Sequence, residues 1–264
     1  MKNNKVVALL IVAIVVILTA LYVLFAMNKI TSNNNSGDNQ SQKDENKNSY
    51  VINYKEENYT TKNRENIEIT NNKRNVITIE NKIDPNAASL IENKLNEISN
   101  TDWEEIKKMA DITNENSNTG LGVNCLIETG EVTNNRLTFI VNTVGSFGGI
   151  PWDNNEGYNF DATTGNLLKL TDLGTGVFDY IYNQSISQLE KNGSDSSSLA
   201  SDWKDRVKKE LNKDGKWYFT KDGIKVIFLK YSLSDNAVGM IGSDIINISK
   251  KDINPYLNDQ YKIK

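Results

Sequence analysis

The chain has 264 residues, with 30 Lys and Arg against 34 Asp and Glu, no histidine and a single cysteine. The missing histidine excludes Ser-His-Asp triads, Cys-His dyads, HExxH zinc sites and haem-histidine ligation, and one cysteine excludes an intrachain disulfide framework. A net charge of −4 gives no electrostatic reason to bind nucleic acid or an anionic lipid surface.

Residues 6–27, VVALLIVAIVVILTALYVLFAM, carry no charge, glycine or proline. At about 1.5 Å per helical residue they span about 33 Å, enough to cross a hydrocarbon core of about 30 Å. Lys2, Lys5 and the amino terminus flank one side against Lys29 on the other. The positive-inside rule therefore places the N-terminus in the cytoplasm and the remainder outside the cell. The run exceeds a signal-peptide h-region and is followed by no A-x-A site or lipobox cysteine. It reads as an uncleaved transmembrane signal-anchor behind a cytoplasmic stub, residues 1–5. Residues 28–49 hold almost no apolar side chain and read as a disordered Asn-rich linker with a reach of about 25 Å. Without Lys2 and Lys5, 28 basic residues stand against 34 acidic ones, so the outer part carries −6, which fits a cationic partner or solubility alone.

Residues 50–264 divide by pattern into a β-α part, 50–115, and a second part, 116–264. Residues 50–59 are weakly patterned. Alternation at Ile67 and Ile69, then at Ile77 and Ile79, predicts strands over 66–70 and 76–83. Asp84-Pro85 supplies an N-cap and a proline at the first helical position, and Ala87, Ile91, Leu95 and Ile98 form an apolar stripe. Thr101-x-x-Glu104 has the form of a capping box and predicts a further turn or second helix, with Trp103 as a core anchor. A polar loop over 111–120 follows. Val123, Cys125 and Ile127, then Leu137, Phe139 and Val141, each share one face of a strand, joined by a hairpin through 130–135. Cys125 reads as a buried structural thiol.

The most distinctive stretch runs Ser146-Phe147-Gly148-Gly149-Ile150-Pro151-Trp152, then Asp153 to Gly157 as a turn, then Tyr158-Asn159-Phe160-Asp161. Paired glycines beside aromatics let a backbone bend sharply or approach a partner closely. Either a wide structural turn or a binding loop fits, and the binding candidates are Phe147, Gly148, Gly149, Trp152, Asp153 and Tyr158. Asp161 begins a D-x-x-T-G turn, and Asp172 reads as a cap. Phe178, Tyr182, Ile186 and Leu189 predict one helix; Leu199, Trp203, Val207 and Leu211 predict another, opened by the serines before Leu199. Residues 217–219 and 224–231 pair across Lys221-Asp222-Gly223, the latter as a central strand covered on both faces. A strand over 244–248 and a short helix from Ser249-x-x-Asp252, limited by Pro255, close the chain. Strands and helices in blocks predict an α+β fold, an antiparallel sheet with helices packed on it.

The order Gly-Gly-Ile-Pro, Tyr-Asn-Phe-Asp-x-x-Thr-Gly-x-x-x-x-Leu-x-Asp-Leu, two helices and a strand pair resembles the extracytoplasmic domain of RsiV-type anti-sigma factors. Similar domains of unknown function occur in Firmicute surface proteins and beside polysaccharide deacetylase domains. The likeness spans 76–257 and is strongest over 148–173. It implies an α+β domain outside the membrane and, in RsiV-type proteins, binding of lysozyme as a signal. Family members often carry a histidine after the paired glycines, where Ile150-Pro151 stands here. The sigma-binding segment is absent, so an anti-sigma role is not expected.

The function expected is a non-enzymatic, membrane-anchored binding module for a cell-wall component or an extracellular, cationic wall-active protein such as lysozyme. No catalytic residue, metal or cofactor is expected. The alternative is a carboxylate-dependent enzyme or accessory factor acting on wall glycan, with two of Asp153, Glu156, Asp161 and Asp172 as acid and base. A calcium loop at Asp153-Asn154-Asn155-Glu156-Gly157 fails the EF-hand spacing, with glycine at its fifth position.

Overall fold

The computed structural model describes residues 50–63, 65–116, 123–147, 150–191, 199–235 and 242–264. The apolar segment 6–27, the linker 28–49, Gly148, Gly149 and the serines before Leu199 lie outside them. No helix among the described residues is long and apolar enough to cross a membrane.

The fold is α+β, with two sheets instead of the one expected. In the first, β1 (Tyr50–Lys62), β2 (Glu68–Asn81), β3 (Val123–Val132), β4 (Arg136–Phe147) and β5 (Ile150–Asp161) lie in sequence order. Neighbours are antiparallel except β2 and β3, which run parallel and pair only at Lys73↔Asn124 and Arg74↔Cys125. The sheet is thus mixed, where a purely antiparallel one is expected. The weakly patterned residues 50–59 belong to β1. The two short strands read at 66–70 and 76–83 are one, because the hairpin with β1 continues through the polar residues between them.

Beyond its two rungs with β3, β2 hands its hydrogen bonds to side chains. Asn75 Nδ2 donates to Ile127 O at 2.8 Å, and Ile127 N donates back to Asn75 Oδ1 at 2.5 Å. Asn96, on α1 (Pro85–Asn116), accepts from Ile77 N at 3.1 Å and donates to Ile77 O at 2.9 Å. Helix α1 starts as its sequence demands, with Ala87 N donating to Asp84 Oδ1 at 3.0 Å. Ala87, Ile91, Leu95 and Trp103 are buried along it. It does not restart at Thr101. That hydroxyl donates back to Glu97 O at 3.1 Å, a bond made inside a continuous helix and not at a cap, and the helix takes in 111–116 as well. The sheet curls around α1 far enough for Tyr50, opening edge strand β1, to donate to Ala162 O just past edge strand β5, at 2.5 Å.

The second sheet holds β6 (Trp217–Thr220), β7 (Gly223–Leu229) and β8 (Ser243–Ser249), antiparallel in that order. It shares a core with α2 (Val177–Lys191) and α3 (Trp203–Leu211), and the short α4 (Lys250–Ile253) follows β8. β7 is central as expected, with Val226, Ile227 and Phe228 all buried on its two faces. It ends at Leu229, and Tyr231 stands 51% exposed in a 3-10 turn. The buried residues of α2 are Val177, Ile181, Ser185 and Leu189, a face rotated from the predicted stripe. Ser185 can lie there because its hydroxyl donates to Ile181 O at 2.8 Å.

Asn159 joins the two sheets. Its Nδ2 donates to Trp217 O at 2.9 Å, while its Oδ1 accepts from Phe219 N and Thr138 Oγ1, both at 3.0 Å. Asn159→Ala should cost about 2–4 kcal/mol in urea unfolding, because buried groups on β4 and β6 lose their partner together. A loss below about 1 kcal/mol would show that the sheets are held chiefly by apolar contact.

Candidate functional site

The glycine-aromatic stretch is the tip of a hairpin. β4 and β5 pair through Ser146↔Pro151 and Phe147↔Ile150, so only Gly148-Gly149 separates the strands in sequence. Among the described residues β3 pairs no further than Gly145. Trp152 stands opposite Gly145 in the register. The two glycines and the side chains of Phe147 and Trp152 lie outside the described residues. The β1–β2 turn sits at this same end, because β2 and β3 are parallel and Val123 pairs with Gly145. Tyr50 sits at the other. At about 3.3 Å per residue, the twelve residues of β5 put nearly 40 Å between the tip and that end.

The turn expected from Asp153 to Gly157 is strand, since the backbone of β4 supplies a partner at every position. Extended geometry cannot wrap a cation, and the calcium reading lapses with the turn. Asp153 is exposed. Tyr158 is not a surface residue: it lies opposite Phe139, in the core beneath α1, and is 4% exposed. Period-two alternation puts it on the same face as Glu156, to whose Oε2 its hydroxyl donates at 2.5 Å. Burial first, then the Glu156 charge and that hydrogen bond, push the Tyr158 hydroxyl above its usual range.

The four carboxylates weighed from sequence do not converge. Asp161 accepts from Thr163 N at 2.9 Å and Thr164 N at 2.8 Å, and its Oδ2 accepts from Tyr261 Oη at 2.8 Å. Asp172 accepts from Lys169 N at 2.8 Å. Both serve turns, as their local sequence suggests. Asp153 and Glu156, three residues apart on one strand, face opposite sides of the sheet.

A different set gathers around Glu156. Lys216, buried at 7% exposure, places Nζ 3.9 Å from Glu156 Oε1 and 3.9 Å from Glu210 Oε2. Lys213 pairs with Glu210 at 2.5 Å. Asp102, half-buried on α1, is pushed up to about 6, by burial foremost and then by the charges of Glu156 and Glu105. The backbone brings these elements together: Gly157 N donates to Gly215 O at 2.9 Å, and a Cβ on Gly157 would meet the Tyr218 side chain at 2.5 Å. Asp102, Lys216 and Glu210 carry no local motif, and only the tertiary fold brings them to Glu156. Among the described residues no group of three or more His, Cys, Asp or Glu is arranged to hold a metal ion. Cys125 is buried, with Ser99 Oγ and Thr143 Oγ1 both 3.9 Å from its sulfur. Burial raises its thiol above the ordinary range, as expected of a structural cysteine.

No protein-family model matches the sequence. No curated protein matches it either. Among solved structures, a DUF3298-family protein from Bacteroides fragilis matches with a TM-score of 0.58 at 15% identity, over 82% of this chain and 98% of that one. A DUF3298-family protein from Pseudomonas aeruginosa matches with a TM-score of 0.44 at 12% identity, over 81% of this chain and 95% of that one. The first likeness is one of fold.

Asp102 yields a pH prediction. Its folded pKa, about 6, lies above the ordinary 3.8, so between those values the folded state holds a proton that the unfolded chain has released. Stability should therefore fall as pH rises from about 4 through about 6, and stay lowered above it. Asp102→Asn should flatten that slope and stabilise the domain at neutral pH by on the order of 1 kcal/mol, discounted for partial exposure. Urea unfolding across this range is the measurement; an unchanged slope in the variant would place the titration elsewhere.

Proposed function

We propose that this chain is a non-enzymatic binding module, held at the outer face of a membrane by residues 6–27, for a cell-wall component or a cationic wall-active protein such as lysozyme. The observation that carries the reading is the placement of the β4–β5 tip. It stands at the end of the domain opposite Tyr50. A recognition loop at the tip of a hairpin, carried on a paired sheet, is a common way to meet a large partner. The −6 charge of the outer part supports a cationic partner. The motif order shared with RsiV-type domains supports lysozyme, with Ile150-Pro151 standing where those domains often have histidine.

Asp102, held up beside Glu156, favours a second reading, a carboxylate enzyme or accessory factor acting on wall glycan. Against it, Glu156 already accepts the Tyr158 hydroxyl and has Lys216 beside it. Such a carboxylate is positioned to hold elements together.

Trp152→Ala separates binding from structure. Titration of the full chain in detergent with lysozyme and with solubilised wall fragments should show one of them weakened by about 2 kcal/mol or more, with urea stability nearly unchanged. A stability loss of several kcal/mol with no partner bound by the parent chain would make Trp152 a packing residue and remove the support for recognition at the tip.

A further inference from the structure

Away from the hairpin tip, a cleft of about 450 Å³ opens between the first turn of α2 and α3. That lies within the range of about 300–1,000 Å³ typical of small-ligand sites. Thr171, Phe178, Asp179, Lys208 and Asn212 line it, with the backbone of Gly174-Thr175-Gly176 along one side. Through Thr171, Phe178 and Asn212 it continues into a smaller recess against Gly157 and Asn159. Its walls are fixed from behind. Leu168 N donates to Asn159 O and Asn258 N to Leu173 O, both at 2.7 Å, and a Cβ on Gly174 would strike the Tyr256 carbonyl oxygen. The cleft is therefore formed before any ligand arrives.

Among the described residues, most of its side-chain polar groups are not consumed internally. Asp179 and Lys208 form no ion pair among the described residues, and Asn212 spends its Nδ2 on Lys208 O at 2.8 Å while Oδ1 remains free to accept. Lys208 and Asp179 balance in the cleft, Lys169 and Asp214 balance in the recess, where Lys213 is paired with Glu210, and Phe178 supplies an apolar wall. On the other flank of the first turn of α2, Tyr180 and Tyr256 stack with centroids 4.3 Å apart and planes at 22°. Tyr256 is 39% exposed. Between cleft and tyrosines the chain is low: a Cβ on Gly176 would find only Tyr256 Cδ1 nearby, at 3.7 Å.

We infer that the cleft and the tyrosine pair together bind an uncharged oligosaccharide, laid across the first turn of α2. A pyranose ring has an apolar C–H face, which a flat aromatic covers, and a rim of hydroxyls that both donate and accept. Mixed donors and acceptors without net charge match that rim. A polyphosphate needs an excess of cations and an acyl chain needs an apolar lining, and the cleft has neither. The helix is about 10–12 Å across with its side chains, so the two parts take more than one sugar ring. This rests on the reading of the domain as a wall-binding module, and adds a ligand class and a site separate from the hairpin tip.

The test is titration calorimetry of the full chain in detergent with chitotetraose, with cellotetraose as a second uncharged probe and a sulfated oligosaccharide as the anionic control. Saturable binding of either uncharged sugar is expected. Tyr256→Ala and the double variant Asp179→Ala/Asn212→Ala should each weaken it about tenfold or more, with cooperative unfolding retained and midpoints lowered only by the lost Tyr180 stack or Lys208 bond. Tyr256→Phe keeps the ring and should keep the affinity. Absence of saturable binding, affinity indifferent to these substitutions, or preference for the sulfated sugar overturns the proposal. Trp152→Ala should leave the sugar titration untouched; a loss there would move the sugar to the hairpin tip and overturn the cleft. Failure of the sugar arm leaves the lysozyme and wall-fragment titrations standing as a test of the tip.

Discussion

Every strand edge that does not meet another strand must still satisfy its N–H and C=O groups, and in this fold carboxamide side chains meet much of that demand. A side-chain amide carries the same donor and acceptor pair as a peptide group, so one Asn or Gln can replace a rung of the ladder. Asn75 does so on Ile127 of β3, Asn96 on Ile77 of β2, and Asn159 across Trp217 and Phe219 of β6. Gln188 on α2 does so on Asn247 of β8, at 3.0 and 3.4 Å, and Asn254 on Ile263 near the C-terminus, at 2.8 and 2.9 Å. Asn72 bridges Tyr59 O and Val123 N, joining β1 to β3 across β2. Without these substitutes the splay of β2 from β3 would strand buried backbone groups, each worth about 1–3 kcal/mol.

Satisfied edges allow the sheet to curl instead of continuing flat, and the curl decides which ends meet. Tyr50 and Ala162 come together at one end. Arg136, 2% exposed, binds the C-terminal segment to the start of β4: Nη1 donates to Tyr261 O at 2.9 Å and Nη2 to Glu131 Oε2 at 2.6 Å. Its guanidinium lies over the Phe219 ring, 4.1 Å from the centroid, which ties the second sheet to the same place. Entry of the chain, its C-terminal segment and the sheet junction therefore share one end. The turns of the two long hairpins lie at the other.

The sequence makes the fold readable wherever local pattern and tertiary demand agree. Asp84-Pro85 and the Ala87–Ile91–Leu95 stripe lead directly to α1, and alternation at Val123, Cys125 and Ile127 leads to β3. Asp161 in its D-x-x-T-G turn and Asp172 at its 3-10 turn take the amide hydrogens that their spacing suggests. Reading fails where the tertiary partner decides. Asp153-Asn154-Asn155-Glu156-Gly157 has turn composition, yet β4 beside it makes it strand. Ser185 on the buried face of α2 hides the stripe that the apolar residues alone misplace. Tyr158, read as a surface aromatic, is turned inward by the same strand register that the turn reading missed. Of the charged residues around Glu156, none is foreshadowed, because Asp102, Glu210 and Lys216 come from three separated segments and look like ordinary solvated charges.

That cluster sits where α1, β5 and the α3–β6 connection converge, and this position bears on what it does. A lysine at 7% exposure is expensive to desolvate, and two carboxylates at 3.9 Å offset that cost without the short, aligned contacts of a strong ion pair. Apolar residues in place of the whole set are often neutral or stabilising, so the charges add little net stability. They add selectivity between packings. A slip of β5 by one residue would turn Glu156 and Tyr158 to the opposite face together and leave Lys216 beside Glu210 alone. Asn159, on the other face of the same strand, would lose its bonds to Trp217 and Phe219 in the same slip. The two faces of β5 therefore enforce one register by independent means, and that register sets both how far the β4–β5 tip extends and where the recess behind the α2–α3 cleft lies.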